Sequence, residues 1–381
     1  MKRRHLVLAG PAWCAGSLSA GLAAGLSSSS RAAASGVIRF GQSASLSGGQ
    51  ASYGREVRDG IAAAFAAAGK DGNGPQFELV CMDDGGKPDR CRQNAQALIE
   101  SGVSGLIGFT SGAATEATLP VIEEARIALL GTASGNMGIR SAKLAMQYHV
   151  RAGYDTEFKR MVRYVKDFGM RRVGYVHLKD TSPANLAAMT TALESVGVKL
   201  TESVALDRNA KSFDAEAKQL LDAKLDCILF TTNAAPVIGV IDALVKGRYA
   251  GLYFSSSFAG QALVDAMAEK GQSVILTQVV PRPNALALAV VNRCRHDLAA
   301  LGTDARMGFT ALEGYVAGLV AVEAARSGAK NGVLSRSRFR ESLAGVRMDL
   351  GGYKVDFSNG GTQGSQFVDV VAVDRNGRII G

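Results

Sequence analysis

The residues best placed to do chemistry in this sequence are small hydroxyl-bearing ones at two matched junctions. Phe109-Thr110-Ser111-Gly112-Ala113-Ala114 and Phe230-Thr231-Thr232-Asn233-Ala234-Ala235 each close a run that reads as a buried strand and each open a helix. Both helices lead to another apolar strand with a small polar end, Thr132-Ala133-Ser134 in the first half and Ser255-Ser256-Ser257 in the second. The first turn of a helix carries backbone N–H groups without intrahelical partners, and its dipole favours negative charge. Hydroxyls beside such amides make a site that holds an anionic or polar group by hydrogen bonding. Ser43-Ala44-Ser45-Leu46-Ser47-Gly48-Gly49, after the first strand, adds the same kind of surface. Two such edges, one per half, predict two lobes facing across a cleft.

Reactive constellations are missing from the pattern, so the expectation is a binding protein and not an enzyme. No G-x-G-x-x-G follows the first strand, and there is no P-loop, G-x-S-x-G elbow or H-E-x-x-H. His149, His177 and His296 have no Cys or His at metal-ligand spacing, and no metal or organic cofactor is implied. Asp83-Asp84 resembles a paired carboxylate, yet Gly85-Gly86-Lys87-Pro88 follows at once, which predicts a turn that caps the next helix.

The elements that must position the junctions alternate in kind. From Ile38 onward, apolar runs of strand length are separated by segments of 3.6 period, the grammar of a parallel α/β fold. Val57, Ile61, Ala64, Phe65 and Ala68 line one helical face that Gly69 ends. Phe77, Leu79 and Cys81 alternate as a strand, and Pro88-Asp89 opens a helix that stops near Gly102. Phe158, Met161, Val162, Val165 and Phe168 mark a further helix, ended by Gly169 and followed by the strand Val173-Gly174-Tyr175-Val176. The lobe break is expected around Val150 to Gly153 and a return near Thr277 to Pro281, after which helices at about Leu286–Ala300 and Phe309–Arg326 pack on the first lobe. Tyr353, Val355 and Phe357 alternate, Gly360-Gly361 turns, and Phe367 to Val373 is β-rich, so the tail reads as a hairpin. The predicted organisation is a leader over 1–34, a first lobe of 36–151 plus 279–350, and a second of 152–278 plus 351–381.

The N-terminus indicates where the protein works. Lys2-Arg3-Arg4, an apolar segment from about Leu6 to Leu26 and a Ser-rich stretch ending in Ala32-Ala33-Ala34 follow the order of a secretory signal peptide, cleaved near Ala34. Export predicts a periplasmic protein. Of the formal net charge of +9, Lys2, Arg3, Arg4 and Arg31 leave with that segment; the remaining excess is mild and mixed with acids, which argues against nucleic-acid binding. In an oxidising compartment Cys81 and Cys91 are candidates for a disulfide across a short loop, whereas Cys227 and Cys294 read as buried free thiols.

In order along the chain, Ile38-Arg39-Phe40-Gly41-Gln42 with its Ser-Leu-Ser-Gly loop, Tyr53-Gly54, Leu79-Val80-Cys81-Met82-Asp83-Asp84, Ile107-Gly108-Phe109-Thr110-Ser111-Gly112, Thr132-Ala133-Ser134, Leu312-Glu313-Gly314-Tyr315 and Asp349-Leu350-Gly351-Gly352 resemble the periplasmic solute-binding proteins of the Leu/Ile/Val-binding type, which serve ABC importers. The resemblance covers essentially all of the chain after the leader. It implies two Rossmann-like α/β lobes with parallel sheets, joined by a three-crossover hinge (type I periplasmic binding protein), and a small ligand enclosed between them. It implies that a ligand carboxylate is held by Ser111, the Ala113 amide and Ser134, with Thr132 and Ala133 beside them, and that an ABC permease is the partner. A periplasmic sensor presenting its ligand state to a membrane receptor is the alternative. In the second lobe the pattern departs from amino-acid binders of this type. Asp180-Thr181-Ser182-Pro183-Ala184-Asn185 stands where a tyrosine and glycine are usual, and Ser256-Ser257-Phe258-Ala259 replaces the acid that meets an ammonium. Asp180, Asn233 and Ser257 are the polar candidates there. Tyr53 and Phe258 suit an apolar or aromatic ligand body, and the ligand is either amino-acid-like or an aromatic or other organic acid lacking an amine.

Overall fold

A computed structural model describes residues 36–70, 74–330, 332–376 and 378–380. The expected leader and its cleavage near Ala34 lie outside the described residues.

The first half winds as β1 (Val37–Ala44), α1 (Ala51–Lys70), β2 (Gln76–Asp83), α2 (Pro88–Glu100), β3 (Gly105–Ile107), α3 (Gly112–Glu124), β4 (Leu129–Leu130) and β5 (Gln147–Tyr148). Its sheet is parallel throughout, in the order β2-β1-β3-β4-β5. Val57, Ile61, Ala64 and Phe65 of α1 are buried as their spacing predicts, and the helix runs one residue beyond Gly69. The second half winds as α4 (Tyr154–Asp167), β6 (Val173–Leu178), α5 (Pro183–Glu194), β7 (Leu200–Leu206), α6 (Asp214–Asp222), β8 (Cys227–Thr231), α7 (Ala234–Lys246), β9 (Leu252–Ser255), α8 (Gly260–Glu269) and β10 (Val274–Gln278). The chain then adds α9 (Ala289–Ala299), α10 (Phe309–Ala329), α11 (Arg336–Ala344), the ribbon β11 (Arg347–Asp349) with β12 (Lys354–Asp356), and finally β13 (Asp369–Val373) and β14 (Ile379–Ile380). The second sheet runs β14-β13-β10-β9-β8-β6-β7, parallel except for β13 and β14, which join as an antiparallel hairpin at its edge.

Helices α9 and α10 return to the first half and pack on α1. The α1–α10 crossing is close because both faces are glycine: a Cβ on Gly60 would strike the Ala311 carbonyl, and one on Gly314 the Val57 carbonyl. The backbones therefore meet directly, and any larger residue would push the helices apart.

Three expectations need correction. The tail does not form a hairpin about Gly360-Gly361, since β12 pairs with β11 while β13 pairs with β10 and β14. Residues 351–357 stay with the first half, because β12 pairs with β11, the Phe357 amide donates to the Val346 carbonyl (2.8 Å), and the Phe357 ring meets Tyr148 of β5 edge-on at 5.3 Å. The third passage to the second sheet thus lies between Phe357 and Asp369. An alternating strand pattern looks the same in either lobe, which is why the sequence misplaced it. Cys81 and Cys91 are both free. Opposite Gln42 in the β1–β2 register, Cys81 donates its thiol to the Gln42 Oε1 (3.2 Å), while Cys91 is buried beside Asp84 and Ser43. Burial pushes the Cys81 thiol up to about 12. Cys227 and Cys294 are buried free thiols, as expected.

Candidate ligand-binding cleft

Strand order sets the place of the site. In the first sheet β1 stands between β2 and β3, so the chain winds first to one side of it and then to the other; in the second, β6 stands between β7 and β8 in the same way. Open α/β sheets leave a crevice beyond the strand C-termini at such reversals. The two crevices here face one another, and the loops that end in them are the small polar junctions singled out in the sequence.

On the first side, the loop after β1 is organised by the aspartate pair. Asp84 accepts from the hydroxyls of Ser43 (2.8 Å) and Ser45 (3.0 Å) and from the Gly86 amide (2.7 Å). Asp83 accepts from the Ser47 hydroxyl (2.7 Å) and the Leu46 and Gly85 amides (2.9 and 2.8 Å). What burial Asp83 has opposes its charge, but these donors prevail and hold its pKa below the usual carboxylate range. The pair therefore shapes a turn, as its sequence context predicts, but it does not cap α2, which starts from Lys87 without a side-chain cap. The Ser45 amide in turn donates to the Thr110 hydroxyl (2.9 Å), tying this loop to the junction after β3.

Ser111 is buried and caps α3, accepting from the Ala114 amide at 3.3 Å. Next to it, Gly112 allows the junction after β4 to come close: a Cβ there would lie 2.6 Å from the Ser134 hydroxyl oxygen. Ser134 faces Tyr154, the first residue of α4, at 3.5 Å between hydroxyls. Thr132 is buried with its hydroxyl unpartnered, and the Ala133 carbonyl accepts from Tyr53 at 2.8 Å.

A cavity of about 10 Å³, room for roughly one water, remains between the two sides. Gly112, Ala113, Ser134, Asn136 and Tyr154 line it from one direction; Thr181, Asn185, Arg208, Thr231 and Phe258 line it from the other. Three contacts close the cleft around it. The Met137 amide donates to Asn185 Oδ1 (2.8 Å), Arg208 donates to Gln50 Oε1 (3.2 Å), and the rings of Tyr53 and Phe258 meet edge-on at 5.7 Å. Asp180 is absent from the lining. Both its oxygens accept from Arg208, at 2.6 and 2.7 Å, while Thr181 beside it reaches the cavity. Asn233 likewise yields its place to Thr231.

Ser257 belongs to a different assembly. Arg151 lies in the first passage between lobes and is completely buried. It donates to Glu157 of α4 (2.6 Å), to Glu313 of α10 (3.2 Å) and to the Ser257 hydroxyl (2.7 Å). Glu157 also accepts from the Ser257 amide and hydroxyl (2.8 and 2.9 Å) and from the Thr277 hydroxyl (2.6 Å). Burial alone would lower the guanidinium's pKa, but Glu313 and Glu157 outweigh burial and raise that pKa. Burial keeps the Glu313 carboxyl above its usual range even against Arg151.

Sequence reasoning thus brought Ala113, Ser134 and Phe258 to the lining, with Ser111, Thr132, Ala133 and Tyr53 supporting them. It missed Asn136, Tyr154, Asn185, Arg208 and the Arg151 network. Asn185 and Thr231 stand within segments already singled out. Arg208 carried no small-polar signal and was findable only as the residue following the strand next to the reversal.

Such a fold, with a polar enclosure at the facing strand ends of two lobes, defines a type I periplasmic binding protein. The chain belongs to the periplasmic binding protein family, whose model matches residues 37–378. A Leu/Ile/Val-binding protein homolog 2 from Brucella abortus is 25% identical over 208 residues, 54% of this chain and 56% of that protein, so the chain spans little more than half the length of this relative. The crystal structure of a possible leucine/isoleucine/valine-binding protein from Rhodopirellula baltica superposes with a TM-score of 0.84 at 22% identity, covering 92% of this chain and 97% of that one. A substrate-binding periplasmic protein from Ralstonia solanacearum gives 0.82 at 25% identity over 90% and 99%.

Proposed function

We propose that this protein is an exported solute receptor that captures a small carboxylate-bearing ligand between its lobes and hands it to an ABC importer. The observation that carries this reading is the closed cavity at the reversal points of both sheets, lined by helix-terminal backbone, hydroxyls, two side-chain amides and one arginine. In this reading the Ala113 amide and the Ser134 hydroxyl hold the carboxylate from the first lobe, Ser111 and the Thr132 hydroxyl complete that edge, and Thr231, Asn185 and Arg208 close on it from the second. A ligand that touches both lobes favours the closed form by the difference in its contacts with the two states, and no more. The cavity is too small to admit such a ligand while closed, so capture requires the lobes to part and close again as a hinge.

Calorimetric titration of protein refolded from denaturant, against a panel of monocarboxylates, dicarboxylates and amino acids, tests the reading. One class is expected to bind with one-to-one stoichiometry and to raise the melting temperature; at a hundredfold excess over Kd the gain is about 2.7 kcal/mol. Ser134→Ala should weaken that binding at least tenfold. Heat from no carboxylate in the panel would overturn the proposal.

A further inference from the structure

We infer that the cleft selects carboxylic acids that lack an α-ammonium group, and that Arg208 enforces the selection. The inference rests on the carboxylate-capture reading above and concerns the other end of the same ligand.

An ammonium has three donors and no acceptor, so enclosing it needs oxygens with free lone pairs, preferably charged ones. The carboxylates that meet the cavity's polar lining or the Arg151 network already accept hydrogen bonds. Asp180, beside the lining residue Thr181, gives both oxygens to Arg208. Glu157 is filled by Arg151, Ser257 and Thr277, and both oxygens of Glu313 face Arg151. Glu116 accepts from Asn136 Nδ2 at 3.0 Å.

The amide side chains are committed in the same sense. Asn185 Oδ1 accepts from the Met137 amide, which only an oxygen can do, so the end left over is Nδ2. That nitrogen is buried without a partner, on a residue 2% exposed, and the residue lines the cavity. Asn136 Oδ1 is likewise occupied, by the Gly138 amide at 3.1 Å. Thr231, 3% exposed, has a hydroxyl without a partner that can donate as well as accept. Among the described lining residues Arg208 carries the one formal charge, and it is positive. An anion finds donors at every turn here; an ammonium meets a guanidinium and an outward-turned amide nitrogen.

Matched pairs test this on the refolded full chain: 4-methylpentanoate against leucine, 3-phenylpropanoate against phenylalanine, and succinate against aspartate, each titrated calorimetrically. In the pair that binds, the amine-free member is expected to be at least tenfold tighter, about 1.4 kcal/mol. Equal or tighter binding of the amino acid would overturn the inference while leaving the receptor reading intact. Silence from both members of all pairs would overturn the receptor reading and the inference with it. Arg208→Gln releases Asp180, so the acid should weaken at least tenfold and the preference over its amino partner should shrink; Arg208→Lys should restore part of both. An unchanged preference in Arg208→Gln, in protein shown by circular dichroism to be folded, would also overturn it.

Discussion

Arg151 and Arg208 each pair with acid and each reach a partner in the other half of the chain, in opposite surroundings. Arg151 is sealed from water and shared by two glutamates and a serine hydroxyl. The guanidinium of Arg208 stands at the cleft margin, 11% exposed, against one aspartate that is 44% exposed. The first is a structural tie, since removing it would strand two buried carboxylates. The second is a water-accessible pair of small intrinsic worth, free to rearrange when a ligand arrives. The same chemical pair is therefore architecture in one place and recognition in the other, and burial makes the difference.

The largest effect is expected from breaking the sealed pair. Arg151→Met should cost about 3–5 kcal/mol in denaturant unfolding, because Glu157 and Glu313 would lose the cation that bonds both of them. A loss below about 1 kcal/mol would mean that the hydroxyls and amides around Glu157 suffice.

Glu56 sharpens the comparison as a half-buried carboxylate that makes no salt bridge among those of the described residues. Burial, helped by Asp265 and Asp59, raises its pKa to about 7. The folded state then binds more protons than the unfolded one between about pH 4.5 and 7, so this residue's contribution to stability declines as pH rises through that window. Glu56→Gln should gain about 2 kcal/mol over the parent at pH 8, and the gain should vanish by about pH 4.5, as measured by urea unfolding at both pH values. A pH-independent difference would refute the assignment.

Arg208→Gln should change unfolding free energy by about 1 kcal/mol or less while binding falls, the reverse of the Arg151 balance. The smallest effect concerns the thiols: reductant should leave the melting temperature unchanged, since Cys81 and Cys91 are free. A drop on reduction would show that a bridge forms.

What the sequence revealed and what it hid divide along range. Val57, Ile61 and Phe65, or Phe158, Met161 and Val165, announce their helices because burial follows a period within one segment. The Ser111 and Ser134 junctions were legible because both are local: Ser111 sits at the passage from β3 to α3, and Ser134 in the small polar run just after β4. Arg208 and Arg151 were not, because what defines them is a partner far along the chain: Gln50 for one, Glu313 for the other. No local pattern encodes which arginine will be sealed. The disulfide expectation failed on direction, since two cysteines at the ends of a short loop need their side chains to converge, and β2 turns Cys81 toward Gln42.

The first and third passages between the lobes are paired as neighbouring strands: His149 bridges to Gln363, its amide donates to the Thr362 carbonyl, and the Gly364 amide returns a bond to His149. The Gln363 side chain adds a bond to the Arg151 carbonyl at 2.6 Å. Two connectors joined in this way form a ribbon that bends about one axis and resists twisting about others. Relative motion of the lobes would then have a single coordinate, and one pair of fluorescent labels, one on each lobe, would track it from end to end.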